Sequence, residues 1–459
     1  MKTLVISGSI RSRLAPCHFI FSSVHKSDDL SAYISAISLY QQRNVPISNS
    51  DILAGSALLA MRLHGAEIDY FPLVKLFPHR ETKVDYAAGQ SVDYFLSASD
   101  TLSISEVHLA EMIQRIEAAD GVVLVSPTYF GDRSSVANKL LQISAIKNML
   151  QDKVFGVCSV GAKRNGGQET TIIYSLLEAL NQNALIVGNG PPTSQYGGTA
   201  VGGGKGTVVS DNWGLETAFG TGRRVAHVCE ILQEAGNDRL SRPPRITILV
   251  TIDNADKMLD SFLRHYIDKS LKHLPHVDFR IENILDLSIY RCQGCDKCPN
   301  EDVLMPGGQV TKGCAIRDSE DSMDNIRSIL LESDGIIIAG LNVKQHDQLF
   351  YRYQVLIERT RYIRRNNFEL TDKLITAFCL NQVGARTNPF LSMKTVTSYI
   401  RHNAIMHKPI EVFLHEGKVI DSNYDDLFHF VQYAEKIALG RTRAQYLSTE
   451  YIANGIGGY

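Results

Sequence analysis

The sequence lacks three features that would indicate a nucleic-acid-binding or membrane protein. Neither sign of charge dominates: 47 Lys and Arg stand against 49 Asp and Glu, a formal net charge of −2, so no bulk attraction to nucleic acid or anionic lipid follows. No run of eighteen apolar residues could span a bilayer. The apolar stretch Thr3–Ile6 is too short for a signal-peptide core. We therefore expect a cytoplasmic protein that engages neither nucleic acid nor membrane.

Length and composition indicate a globular enzyme with more than one core. Hydrophobic residues make up 44% of the chain and charged residues 21%, values too apolar for a disordered protein. A chain of 459 residues exceeds the usual length of a single domain severalfold. We expect at least two domains.

The first half alternates short apolar runs with amphipathic segments. This alternation predicts βαβ units and a parallel sheet buried on both faces. Strands are predicted at Thr3–Ser7, Glu67–Phe71, Gly121–Val125, Val154–Val160 and Ala184–Val187. Helices are predicted at Ile52–Leu63, Ser105–Ala119, Val136–Met149 and Thr170–Asn181.

The second half repeats the first in degenerate form. The strand that begins after Asp120 has its counterpart after Asp334, and the strand after Asp152 has its counterpart after Asp372. Between the halves, a polar stretch ends in Pro243 and Pro244 and predicts a linker. The alternative explanation for this repeat is that all α/β proteins share a similar sequence pattern at this level of detail. The favoured prediction is two tandem domains of one fold, at residues 1–236 and 245–459, joined by a linker at 237–244.

The loop after the first strand carries groups that suit a phosphate. The run from Gly8 to Ser12 offers hydroxyls, backbone N–H groups and one guanidinium without an acidic residue, the donor set that holds a phosphate monoester at a helix N-terminus. Short turns of this kind are also common without a ligand. The candidate ligands are Ser9, Arg11 and Ser12.

Two later strand ends could hold a flat ring. Tyr129 and Phe130 follow a fully apolar strand, which suggests a surface for an aromatic ligand, although they could instead staple the loop to the core. The next strand end, Ser159–Glu169, is rich in glycine, so main-chain donors can approach a heteroaromatic edge closely.

The order of these motifs is similar to that of the NADPH-dependent FMN reductase superfamily, whose members have a flavodoxin-like fold. Gly166-Gly167-Gln168-Glu169 and Tyr196-Gly197-Gly198 further resemble the quinone-reductase branch named for a tryptophan-repressor-binding protein. The resemblance covers most of residues 1–235 and implies non-covalent FMN. It would place Ser9, Arg11 and Ser12 on the phosphate, one face of the isoalloxazine against Pro127, Thr128, Tyr129, Phe130 and Gly131, and its pyrimidine edge against Ser159, Val160, Gly161, Gly166 and Gly167.

Residues 14–50 depart from the family pattern, in which the phosphate loop runs directly into its helix. This insertion could close the phosphate site through Ser48, Asn49 and Ser50, with Ser50 or Asp51 also capping the helix. Alternatively it covers the flavin or a partner surface. The glycine-rich stretch Gly197–Thr207 fails as a P-loop because Gly206 follows Lys205. We expect a mobile loop over the flavin pocket there.

Four of the eight cysteines cluster in the second half. Three thiolates at three-residue spacing can wrap a [4Fe–4S] cluster, with the fourth arriving from a loop. Free or redox-active thiols are the main alternative, and zinc is the less favoured metal. The context also resembles the iron–sulfur flavoproteins of the same superfamily, where such a loop lies between the second strand and the next helix. The candidate ligands are Cys292, Cys295, Cys298 and Cys314.

The second domain is predicted to lack its own FMN. Asp253 and Asp256 lie near the position of the phosphate loop and would repel a dianion. The counterpart of the aromatic loop, Gly340–Asp347, contains no aromatic residue. The second domain could therefore imitate a partner subunit in an intramolecular pseudo-dimer, with a homo-oligomer as the alternative.

The favoured function is an FMN-dependent oxidoreductase. Reduced nicotinamide, NADH or NADPH, would deliver hydride to the flavin, which passes electrons to a quinone, another small acceptor or a redox carrier. No catalytic acid or base is assigned, because the cofactor carries this chemistry. The alternatives are an iron–sulfur flavoprotein that moves single electrons between FMN and a cluster, and a non-catalytic scaffold or metal-delivery factor.

Overall fold

The computed structural model describes most of the chain in two compact units. The first comprises Met1–Ala184 and Gly197–Ala226, and the second comprises Leu185–Tyr196 and His227–Tyr459. This division differs from the sequence-based boundary because residues 185–196 and 227–236 group with the second unit. The described residues are 1–9, 11, 17–43, 47–76, 80–81, 84–86, 89–91, 94–95, 104–295, 298, 302–304, 310–316, 318–342, 351–383, 390–416, 418–422 and 424–448.

The first unit is built on five parallel strands in the order β2–β1–β3–β4–β5. Their carboxyl ends therefore meet at one edge of the sheet, where ligands bind in folds of this strand order. All eight residues of β4 are buried, as expected for a strand covered on both faces. The strands are β1 (Lys2–Ser7), β2 (Glu67–Pro72), β3 (Gly121–Tyr129), β4 (Val154–Gly161) and β5 (Gly198–Val201).

The four helices predicted for the first unit are confirmed, and the predicted strands at β1 to β4 are likewise confirmed, whereas the two helices within the insertion and the helix that follows β5 were not predicted. The insertion forms two helices of its own, α1 (Cys17–Lys26) and α2 (Leu30–Arg43). The remaining helices are α3 (Asn49–Leu63), α4 (Glu106–Ala118), α5 (Ser135–Lys147), α6 (Gln168–Asn181) and α7 (Asn212–Ala235), the last of which continues into the second unit.

The predicted strand Ala184–Val187 is present but shorter than predicted, as the two-residue strand Leu185–Ile186. It groups with the second unit and pairs there with Ile405–Met406. The fifth strand of the first sheet is β5, inside the stretch expected to be a mobile loop. Gly198 gives β5 little strand propensity, yet glycine is needed because a Cβ there would lie 2.6 Å from the Cys158 sulfur.

The second unit repeats this topology. Its parallel strands run in the order β7–β6–β8–β9–β10, and β11 adds to β10 in the antiparallel direction. The fold class of two tandem flavodoxin-like domains, each with a doubly wound five-stranded parallel sheet, is thereby confirmed. The strands are β6 (Arg245–Ile252), β7 (Asp278–Asn283), β8 (Gly335–Asn342), β9 (Leu374–Gln382), β10 (Ile410–His415) and β11 (Lys418–Ser422).

The helices of the second unit complete the α/β alternation. None of the helices among the described residues is long and apolar enough to cross a membrane. The second-unit helices are α8 (Met258–Leu271), α9 (Met323–Glu332), α10 (Tyr351–Arg359), α11 (Arg361–Arg365), α12 (Phe390–Tyr399) and α13 (Tyr424–Gly440).

Candidate functional site

The loop after β1 is held by its neighbours at the carboxyl edge of the first sheet. The Gly8 N–H donates to the Val125 carbonyl over 2.7 Å, and the Ser134 hydroxyl donates to the Gly8 carbonyl over 2.7 Å. These bonds tie the loop to β3 and to the start of α5. Ser12 lies outside the described residues.

Ser9 meets a residue from the far end of the insertion. The Ser48 hydroxyl donates to the Ser9 hydroxyl oxygen over 2.8 Å, and the Arg11 N–H donates to the same oxygen over 3.2 Å. Both serines are buried, whereas Arg11 is exposed. Hydroxyls and backbone N–H groups thus converge at the start of α3, where the helix dipole favours an anion.

The expectation that Ser50 or Asp51 caps α3 was wrong. The N-cap residue is Ser48, and its side chain contacts Ser9 in place of the helix's own N–H groups. The Asp51 carboxylate is buried and accepts from the Ser7 hydroxyl over 2.6 Å and from the Tyr70 hydroxyl over 2.7 Å. Asp51 therefore fastens α3 to β1 and β2 beneath the loop.

The predicted aromatic loop is a hairpin. β3 extends to Tyr129, and Asp132–Arg133 pairs back on Thr128–Tyr129. Phe130 at the tip is fully exposed with φ of 53°, and Tyr129 is 53% exposed, so the interpretation that both rings staple the hairpin to the core was wrong. Positive φ is rare for an aromatic residue and is characteristic of constrained, functional segments.

Arg133 holds the base of this hairpin. Its side chain is 4% exposed and forms an ion pair with Glu178 of α6 and another with Asp132 at 3.5 Å. Arg133 was not predicted as a site residue, although its position close to the aromatic pair Tyr129–Phe130 is visible in the sequence. The buried arginine fixes the hairpin to a helix while both rings face solvent.

The glycine-rich loop after β4 packs against the hairpin. The hydroxyls of Thr128 and Ser159 lie 2.6 Å apart. A Cβ on Gly167, which has φ of 95°, would lie 2.6 Å from the Gly131 Cα. The structure thus brings the second and third predicted motifs together at one sheet edge.

The predicted residues at the end of β4 and in the loop after it are already hydrogen-bonded or buried within the protein. The Gly166 N–H donates to the Gln168 side-chain oxygen over 2.9 Å, so this donor is used internally. The Ser159 hydroxyl also donates to the Ser126 carbonyl over 3.1 Å. Val160 and Gly161 are both buried and pair with β5, and the Gly161 carbonyl accepts from the Gly202 N–H over 2.9 Å, so their main chain is engaged within the sheet.

The cysteine loop lies in the second unit, between β7 and α9. Cys314 is buried, Cys292 and Cys298 are half-buried, and Cys295 is exposed. Burial raises the pKa of the Cys298 thiol, and negative charge on Cys314, Cys295 and Cys292 raises it further, while Arg365 opposes this. A thiolate at Cys298 is therefore disfavoured unless a cation offsets the neighbouring negative charge.

A buried ion pair closes the stem of the cysteine loop. Arg359 donates to the Asp321 carboxylate over 2.6 Å and to the Tyr290 carbonyl over 2.7 Å. The Tyr290 N–H in turn donates to Asp321 over 3.2 Å. Because Tyr290 precedes Cys292 and Asp321 follows Cys314, this arrangement fixes both ends of the loop.

The second unit fills the position of its phosphate loop with a carboxylate of its own. Asp253, just after β6, accepts from the Leu259 N–H over 2.9 Å and from the Asp260 N–H over 3.1 Å. Both donors lie in the first turn of α8. A carboxylate therefore occupies the helix N-terminus that corresponds to the start of α3.

Strand order, together with loops that gather hydroxyls, backbone donors and exposed aromatics at one edge, defines a flavodoxin-like protein with a candidate anion and ring site. Residues 43–193 match the family described as NADPH-dependent FMN reductase. An iron–sulfur flavoprotein of Methanosarcina thermophila is 30% identical over 190 residues, 40% of this chain and 91% of that protein. The chain belongs to this flavodoxin-like FMN reductase superfamily, a group of flavin-dependent oxidoreductases, and the resemblance predicted from its motifs is confirmed.

Other relatives match a shorter part. An iron–sulfur flavoprotein of Methanocaldococcus jannaschii is 41% identical over 27% of this chain, and the match spans 66% of that protein. An NAD(P)H dehydrogenase (quinone) of Aromatoleum aromaticum is 28% identical over 26% of this chain and 65% of its own length. The crystal structure of a flavodoxin, WrbA-like protein from Agrobacterium tumefaciens aligns with a TM-score of 0.27 and 19% identity over 50% of this chain and 96% of that one. The fold assignment rests on strand order and not on this low score.

Proposed function

We propose that the first unit binds FMN and that the chain is an NAD(P)H oxidoreductase delivering electrons to a quinone, another small acceptor or a redox carrier. The observation that carries this proposal is the convergence of Ser9, Ser48 and the Arg11 backbone at the start of α3, beside the exposed Tyr129–Phe130 hairpin. An anion site next to a surface for a flat ring suits a phosphorylated aromatic cofactor.

Different residues of the first unit would bind different parts of FMN. Ser9, Arg11, Ser12 and Ser48 would hold the phosphate, and the hairpin Pro127–Gly131 would support one ring face. The end of β4 at Ser159–Gly161 and the loop residues Gly166 and Gly167 would lie along the ring edge, as the family resemblance implies. FMN supplies the hydride chemistry when bound, so these residues bind and orient without an assigned acid or base.

Reconstitution tests this proposal directly. Flavin-free protein titrated with FMN should bind one FMN per chain, with quenching of flavin fluorescence, and should then oxidise NADPH or NADH in the presence of a quinone. Riboflavin, which lacks the phosphate, serves as the matched ligand and should bind far more weakly. Absence of stoichiometric FMN binding would leave the non-catalytic scaffold as the better description.

A second candidate function adds a metal centre. The presence of four thiols in one loop and two relatives named iron–sulfur flavoproteins favour a [4Fe–4S] cluster, with zinc as the alternative. Cys292, Cys295, Cys298 and Cys314 would be its ligands, and the FMN would then exchange single electrons with it.

Metal analysis after purification without oxygen separates these candidates. We expect about four irons per chain in the wild type, and their loss in Cys314→Ser but not in Cys379→Ser, whose thiol is buried away from this loop in β9. One zinc per chain would indicate a structural site, and neither metal would leave a plain two-electron reductase.

The proposal places one FMN in each chain. The Asp253 carboxylate holds the N–H groups that a phosphate in the second unit would require, and like charges would repel it. A titration that saturates at two FMN per chain would contradict this assignment.

A further inference from the structure

The loop from Gly202 to Val208 is bound to the start of α3 by a single side chain. The Asn49 amide nitrogen donates to the carbonyls of Gly202 over 3.0 Å and Gly204 over 2.7 Å. The Asn49 amide oxygen accepts from the Val208 N–H over 3.2 Å. One amide thus engages both arms of the loop, while Lys205 at its centre stays exposed.

The packing at this contact is tight on the loop side. A Cβ on Gly202 would lie 2.5 Å from the Asn49 amide nitrogen, whereas a Cβ on the neighbouring Gly203 would meet nothing closer than 3.5 Å. Gln41 of α2 adds a weaker bond to the Gly206 carbonyl at 3.4 Å. The close approach of Gly202 is therefore specific to Asn49.

Asn49 also adjoins the candidate anion site. It is the first residue of α3 and directly follows Ser48, whose hydroxyl contacts Ser9. A shift of the first turn of α3 would therefore move the Ser48 hydroxyl and the Asn49 amide together. The loop and the anion site share one short piece of backbone.

We propose that Asn49 is a positioning residue that clamps the loop Gly202–Val208 onto the anion-binding end of α3, so that occupation of the Ser9–Ser48 site and ordering of the loop favour each other. The proposal rests on the proposed function only in taking the anion to be the FMN phosphate. By linkage, whatever factor FMN contributes to loop protection must reappear in the affinity for FMN.

Limited digestion of the full chain with trypsin tests this clamp, because the rate of cleavage after Lys205 measures how often the loop opens. Without FMN, Asn49→Ala should raise the rate of cleavage after Lys205 about tenfold, since it removes up to three hydrogen bonds. Gly202→Ala should do the same from the loop side, and Gly203→Ala should stay within about twofold of the wild type. Cleavage after Lys147, at the end of α5 away from the site, serves as the internal standard.

Saturating FMN tests the coupling. FMN should slow cleavage after Lys205 about fivefold in the wild type and in Gly203→Ala, and less than about twofold in Asn49→Ala, whose Kd for FMN should rise by the corresponding factor. Wild-type cleavage rates in both clamp variants, or equal protection of Asn49→Ala by FMN, would overturn the proposal. If the wild type binds no FMN, the proposed function fails, whereas the flavin-free comparison still decides whether the clamp exists.

Discussion

Ser48 donates a hydrogen bond to Ser9 over 2.8 Å across 39 residues of sequence. The end of the insertion therefore lies against the Ser9 hydroxyl, at the proposed phosphate site. Of the two roles considered for the insertion, closure of the phosphate site has this contact in its favour.

Arg11→Glu should weaken FMN binding about 100-fold, because a charge-assisted bond to the phosphate is lost and a repulsive carboxylate replaces it. Isothermal titration with FMN measures the change. Lys147→Glu makes the same change of charge at the far end of α5 and should alter the affinity less than about twofold. Equal effects of both substitutions would show that only net charge matters and would remove Arg11 from the site.

Gly167→Ala should destabilise the first unit more than Gly131→Ala. Both residues have positive φ, and each alanine costs about 1 kcal/mol for that reason, but only the Gly167 Cβ would collide with the neighbouring Gly131 backbone. Denaturation followed by the fluorescence of Trp213, the single tryptophan, reports on this unit. Equal losses in the two variants would mean that the two loops separate without cost.

Arg359→Met should destabilise the second unit by about 3 kcal/mol, because it leaves the Asp321 carboxylate buried without its partner. The two side chains are 1% and 5% exposed. Arg352→Met, at an exposed position of the same helix, is the control. Alkylation of Cys292 should also accelerate in Arg359→Met, since the stem of its loop opens; an unchanged alkylation rate would argue against a positioning role.

Acid should destabilise the second unit through His402. Burial lowers the pKa of His402 to about 3, with Arg364 and Arg401 adding to the shift. In this pH range His402 binds a proton in the unfolded chain but not in the folded chain. The free energy of unfolding therefore falls as pH drops from the ordinary histidine pKa toward 3. Between pH 7 and pH 5 the wild type should lose about 2 kcal/mol more than His402→Gln. Hydrogen exchange of the peptide around residue 402 measures this, and identical losses in both proteins would contradict it.

Much of the fold follows from hydrophobic pattern alone. β1 to β4 and α3 to α6 are continuous apolar or amphipathic segments of ordinary length. The internal sequence repeat predicts the second sheet. β5 was not predicted because Gly198, which has low strand propensity, is required there by close packing against Cys158 of β4. A residue type that is required by the shape of a distant neighbour cannot be predicted from the hydrophobic pattern along the chain.

The candidate site was only partly predictable for a related reason. Loops after parallel strands must lie at one edge of the sheet, so the sequence alone predicts that the three motifs lie close together. The partners that hold them, such as Arg133 with Glu178 and Asn49 with Gly202, depend on side chains that meet across distant parts of the chain. Their residue types carry no signal by themselves.

The Asp253 carboxylate has a consequence for how the two units respond to their surroundings. A counterion that belongs to the chain cannot dissociate, so the start of α8 is neutralised at every concentration of cofactor. The start of α3, which takes its proposed anion from solution, gains stability by mass action only as that ligand accumulates. When flavin is scarce, the melting temperature of the first unit should therefore be lower, while that of the second unit should not change.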